Sequence, residues 1–157
     1  MDNCERNFEN SGNALETAHK GIWELRTEDR HFVFSKLLCW VAMDRAIKNR
    51  AIKIGQILRK GNNDTKWKAV RTKIFEDIYK NGWNEEIQAY TQSYGSKDLD
   101  ASNLLMEQYG FIQAADPRFI NTVRATEKQF CEDGLLYRYK NKDDFGTPSY
   151  SFTICTF

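Results

Sequence analysis

The chain has 157 residues, a length that suits one domain with a moderate core. Its 23 basic and 22 acidic residues leave a formal net charge of +1, which gives no electrostatic footprint for nucleic acid or an anionic membrane. No apolar run approaches the roughly 18 residues of a membrane span, and the opening MDNCERNFEN lacks the apolar core of a secretory signal.

The first segment with chemical content is Gly21-Ile22-Trp23-Glu24. A glutamate held against an indole is partly desolvated, which disfavours its charged form and raises its pKa. A carboxylic acid that stays protonated near neutral pH can donate to a leaving group, as the general acid of glycosidic hydrolysis does. Four residues recur by chance, and a surface ion pair of Glu24 with Arg26 or Arg30 is the competing reading.

From Phe34 the residues Phe34, Leu37, Leu38, Val41 and Ala42 fall at the i, i+3, i+4, i+7, i+8 spacing of one helix face. That helix is expected to run on toward Ile57, and Gly61-Asn62-Asn63 to end it. Asp64 is the expected N-cap of the next helix, whose face carries Trp67, Val70, Arg71, Ile74, Phe75 and Ile78, with Asn81-Gly82 as the stop. Between Trp83 and Tyr94, Ile87, Ala89 and Thr91 alternate with Glu86, Gln88 and Tyr90, which predicts a short extended segment.

The polar loop Gly95–Asp100 leads into a short helix with Leu104 and Leu105 that closes at Gly110. Asp116-Pro117 is a helix start, because aspartate caps and proline is preorganised at the first helical position. Ile120, Val123, Glu127 and Phe130 follow at helical spacing. Leu136 to Tyr139 reads as extended, Asp143 to Pro148 as a turn-rich loop, and Tyr150 to Phe157 as an apolar element that stops without a cap. There is no internal repeat, no low-complexity segment and no interdomain linker.

Several residues invite a functional reading that the bland one outweighs. Cys4, Cys39, Cys131 and Cys155 show no CxxC spacing and read as buried free thiols of a reducing, cytoplasmic setting. With only His19 and His31 as imidazoles, no metal site is expected. Glu85 and Glu86 read as a solvated or structurally bonded pair. Asp100 reads as a cap, with Asp98 left open. Lys36 and Lys97 read as surface charges, His31 as structural or surface, and Trp40 as core. Aromatics make up 13% of the chain, which serves a helical core and also suits stacking on sugar rings.

Together, GIWELR, HFVFSKLLCWVAMDRAI, WNEEIQAYTQSYGSKDLDASNLL, DPRFINTV, DGLLYRY and SFTICTF stand in the order of a known family. From about Gly21 to Phe157 the chain resembles the catalytic domain of glycoside hydrolase family 15, which contains glucoamylases, glucodextranases and trehalases. The SKLLCWVAMDRA and GSKDLDASNLL blocks are most similar to intracellular bacterial members.

The resemblance implies an all-α fold that is part of an (α/α)6 barrel, with residues 1–157 forming a single partial domain truncated at both ends. It implies inverting hydrolysis of an α-glucosidic bond in trehalose, maltose or an α-glucan, with no metal and no organic cofactor. Carried over by position, Glu24 matches the family's general acid, Trp23 the indole lining the sugar pocket, and Arg138 the arginine that binds sugar hydroxyls through its planar fork of donors.

Two departures carry consequences. Thr17-Ala18-His19-Lys20 stands where the family more often has proline and an acidic residue, which alters the loop before Glu24. The family's general base lies beyond the block that SFTICTF resembles. The isolated chain is therefore expected to be inactive and to self-associate through exposed helix faces. The alternative function is a non-catalytic glucan-binding or regulatory barrel fragment, like the related domains of phosphorylase kinase subunits. Neither reading involves nucleic acid or a membrane as partner.

Overall fold

The computed structural model describes residues 17–18, 20–23, 28–57, 63–142, 146–152 and 155, the side chains of 50–64 excepted. Helix α1 spans Val33–Ile57 and helix α2 spans Asn63–Asn81, and the two pack against each other. A hairpin follows, with β1 at Trp83–Asn84 and β2 at Ala89–Tyr90 in antiparallel register, Trp83 opposite Tyr90. A 3-10 turn at Ala101–Leu104 runs into the short α3 at Leu105–Gln108. Helix α4 covers Pro117–Phe130, and a second hairpin pairs β3, Cys131–Glu132, with β4, Leu135–Leu136. The described residues are thus helix-rich, as expected, and no described helix is long and apolar enough to cross a membrane.

The elements form for local reasons that the sequence mostly displays. Asp116 caps α4 by accepting the Arg118 amide at 2.8 Å, and Pro117 occupies the first turn. Gly82 lets the first hairpin lie on the end of α2, since a Cβ there would sit 2.7 Å from the Ile78 carbonyl oxygen. Helix α2 already includes Asn63, so it begins ahead of the cap expected at Asp64. The break at Gly61-Asn62 and the loop residues 143–145 lie outside the described residues.

The core differs from the expected faces in instructive ways. On α1 the buried stripe is Val33, Phe34, Leu37, Trp40, Met43 and Ile47, while Leu38 is 40% exposed and Ala42 is exposed too. The segment is apolar nearly all round, so its spacing admits two stripes, and the bulk of Trp40 settles which one turns inward. Trp40 meets Phe111 edge-on at 5.2 Å, and Phe111 lies 4.9 Å from Phe75 of α2. On α4 the buried positions are Phe119, Thr122, Thr126 and Phe130, and Glu127 is exposed. Thr122 donates its hydroxyl to the Arg118 carbonyl and accepts the Tyr90 amide at 3.0 Å, so a polar residue closes the edge of β2.

Three further corrections have clear causes. Lys36 is not a surface charge: it is 1% exposed, with its ammonium 5.9 Å from the Tyr94 ring centroid. Burial holds its pKa below the ordinary lysine value, while the Asp77 carboxylate and the Cys39 thiol act in the opposite sense. The Trp83–Tyr94 stretch is a tight hairpin rather than one extended segment. The Asn84 side chain accepts the Glu86 and Ile87 amides at 2.9 and 3.2 Å, and Gln88 takes a φ of 52°. Finally, Leu136–Tyr139 is strand only at its start, where β4 ends.

Other expectations hold. Glu85 accepts from Gln88 at 2.9 Å, and Glu86 pairs with Lys97 at 2.6 Å on the surface. His31 stacks on Tyr94 at 5.7 Å. The buried Asp44 of α1 meets Arg71 of α2 at 3.0 Å across the helix pair and Lys48 of its own helix at 2.7 Å, so this carboxylate is compensated by two cations that reach solvent.

Candidate active site

The turn that presents Trp23 begins at Gly21, whose φ of 74° lies in the left-handed region. A Cβ at that position would stand 2.9 Å from the Phe32 ring, so the glycine answers both a backbone and a packing demand. The next two residues, Ile22 and Trp23, turn toward a cavity of about 840 Å³. Phe34, Leu104, Leu105 and Phe152 complete much of its wall. Glu24 itself lies outside the described residues.

Trp23 is held on several sides. Its Nε1–H donates to Asp100 Oδ2 at 2.8 Å. Its ring meets Phe152 edge-on at 5.7 Å and lies tilted to Tyr139 at 6.1 Å. The guanidinium carbon of Arg138 stands 5.6 Å from the indole centroid and 4.8 Å from that of Tyr139. The structure therefore brings Trp23 and Arg138 into one cluster, although they are far apart in sequence. The Arg138 carbonyl also accepts the Ala101 amide at 2.9 Å, which ties this arginine's backbone to the loop that carries Asp100.

The two residues do not line the same space. Arg138 borders a second cavity of about 230 Å³ with Ser149, Tyr150 and Ser151, and Phe152 stands in the walls of both cavities. Phe152 thus stands between a larger, mostly apolar cavity that Glu107 and Gln108 also line and an arginine-bearing one, which sets a stacking surface and a charged donor side by side, the pair of properties that sugar recognition uses.

Asp100 is the residue whose role exceeds its sequence reading. It caps the 3-10 turn as expected, with Oδ1 accepting the Ser102 amide at 2.9 Å and the Ser102 hydroxyl at 2.6 Å. Its other oxygen accepts Trp23 and, at 3.2 Å, the Gln92 side-chain amide. Burial pushes its carboxyl above the ordinary aspartate range, while the donors from Ser102, Trp23 and Gln92 pull it back. The signal available in the sequence was an aspartate in a loop block with more polar neighbours than a cap requires. The partner 77 positions away was not legible.

Cys155 lines the larger cavity, and burial pushes its thiol up to about 11, with the Asp100 charge adding to the rise and Arg138 opposing it. Cys39 is raised as well by burial. Cys131, by contrast, is exposed, which corrects the expectation of uniformly buried thiols. With iodoacetamide at mildly alkaline pH, mass mapping should find Cys131 labelled roughly tenfold faster than Cys39 or Cys155, because the thiolate is the reacting species. Equal labelling of the three would contradict these environments. Among the described residues no group of three or more His, Cys, Asp or Glu could hold a metal.

The fold is similar to that of solved glycosidases. A solved glycosidase variant superposes with a TM-score of 0.67 over 80% of this chain and 32% of that one, at 15% identity. A glycosidase variant in complex with glucose gives a TM-score of 0.66, again over 80% of this chain. Residues 11–157 match the Glycosyl hydrolases family 15 pattern, and the chain belongs to that family. The trehalase of Mycobacterium tuberculosis is 38% identical over 141 residues, 88% of this chain and 20% of that protein. A Thermoplasma acidophilum trehalase is 36% identical over 87% of this chain and 23% of its own length. The chain thus spans about a fifth of the length of these curated relatives.

Proposed function

We propose that these residues form the acid-bearing part of an inverting α-glucosidase that cleaves trehalose, within one partial domain of an (α/α)6 barrel. The observation that carries this reading is the Trp23–Arg138–Phe152 cluster, with Trp23 and Phe152 in the wall of one cavity and Arg138 and Phe152 in that of a second, in a family 15 chain similar to trehalases over most of its length.

In this mechanism Glu24 donates its proton to the glycosidic oxygen as the C–O bond breaks. The Trp23 indole supplies an apolar wall that keeps the acid protonated until it is used. Arg138 binds sugar hydroxyls through its donors. A second carboxylate, across the sugar ring, takes a proton from the attacking water, which enters on the face opposite the leaving group. We assign that base to sequence outside these 157 residues, so the 157-residue polypeptide alone is expected to release no glucose. The uniformly free described thiols support a cytoplasmic setting. The exposed apolar side chains Leu38, Tyr79 and Leu135 support self-association of the isolated chain.

The test is proton NMR of the first sugar formed when the full reading frame acts on trehalose. Inversion at one α carbon gives β-glucose from that ring and leaves the other as α-glucose, in equal initial amounts. Release of α-glucose alone would mean retention and would refute the mechanism. Preferred turnover of maltose over trehalose would reassign the substrate.

A further inference from the structure

We infer that Asp100 is a positioning residue of the glycosidic site, fixing the plane of the Trp23 indole and with it the backbone that leads into Glu24. The inference rests on the reading of Trp23 as a wall of the sugar pocket.

A helix-capping aspartate needs one oxygen, and here Oδ1 alone meets both Ser102 donors. The second oxygen is spent on the indole N–H and on Gln92. All four of these contacts donate into the carboxylate, so an amide of the same shape would turn an NH2 toward a neighbouring donor. The acceptor is itself held by a rigid frame. The Gln92 backbone oxygen accepts the Val33 amide at 3.0 Å, at the start of α1, and its amide donates to the Asp98 carbonyl at 2.7 Å. The Gln92 side-chain oxygen accepts the Asn141 amide at 3.3 Å. Position therefore passes from α1 through Gln92 and Asp100 to the indole. Asp100 is only 3% exposed, so bulk water has little access to take over as acceptor.

The experiment is a double-mutant cycle on trehalose hydrolysis by the full reading frame, using Trp23→Phe and Asp100→Asn, with Trp23→Ala as reference. Trp23→Phe keeps an aromatic wall and removes the N–H. Each single change should lower kcat/KM roughly tenfold to hundredfold, the range for a hydrogen bond to a charged acceptor. The double variant should lose no more than the worse single one, because both remove the same interaction. A merely structural Asp100 would give additive losses, and additivity overturns the inference. If Asp100→Asn does not fold, Trp23→Phe decides alone: wild-type kcat/KM for that variant overturns it. If Trp23→Ala also leaves kcat/KM unchanged, the reading of the pocket fails and takes this inference with it. Crippled Trp23→Ala beside silent Trp23→Phe removes only the role of Asp100.

Discussion

Replacing Glu24 by glutamine in the full reading frame should lower kcat on trehalose by about two to four orders of magnitude, the contribution of a positioned general acid. The same variant should hydrolyse α-glucosyl fluoride with little loss, because fluoride leaves without a proton. That contrast separates an acid from a base or a binding group, for which both substrates would suffer alike. The pH profile offers a second check. In the unaltered enzyme the rate falls as pH rises through the pKa of the acid, since only the protonated form donates, and in Glu24→Gln that alkaline limb should flatten. Equal losses on trehalose and on the fluoride would remove Glu24 from the acid role. Nothing in this expectation depends on the conformation of Glu24. It follows from the proposed proton donor being the sequence neighbour of Trp23, whose indole is held by Asp100, Phe152 and Tyr139.

Phe111→Ala carries the largest expected effect on stability. The ring is buried against Trp40 of α1 and Phe75 of α2, and its amide donates to the Met106 carbonyl at 2.9 Å. It therefore joins the two long helices to the segment that follows α3. Truncation removes transfer free energy and leaves a cavity between rigid rings, a cost of about 3–5 kcal/mol. In a domain of this size that corresponds to a fall of roughly 10 °C in the thermal midpoint. Leu38→Ala is the control: on the same α1 turn region but 40% exposed, it should change stability by about 0.5 kcal/mol or less. Equal shifts for the two variants would contradict the inward face assigned to α1.

Much of this fold is legible in the residues because its punctuation is local. Gly82 ends α2 and Asp116-Pro117 opens α4 through contacts within a few positions, so spacing and residue type suffice. The helix faces were half legible. Periodicity gives α1 with a face that wrongly includes Leu38 and Ala42, because the spacing does not register the packing of Trp40 against Phe111. What escaped the sequence were polar residues buried by distant partners. Lys36 reads as a solvated charge until Tyr94 and Asp77 close around it. Thr122 reads as neutral filling until the Tyr90 amide needs an acceptor. The family resemblance points to Trp23 and Arg138 as candidates, and the structure adds that they share one cluster while facing different cavities. Asp100 stayed hidden because capping already accounted for it.

The indole-to-carboxylate bond closes a loop of 77 residues that contains α1, α2 and the first hairpin. Closing so long a segment is entropically costly and is offset only once the intervening helices have condensed. The turn that carries Trp23 therefore depends on the packing of the helical pair, because its indole-to-carboxylate bond closes only when both helices are in place. Substitutions that merely soften the α1–α2 packing should therefore register as lost turnover while far-UV ellipticity remains intact. Under the proposed function, turnover rather than helical content would then be the finer gauge of how well the helical pair is packed.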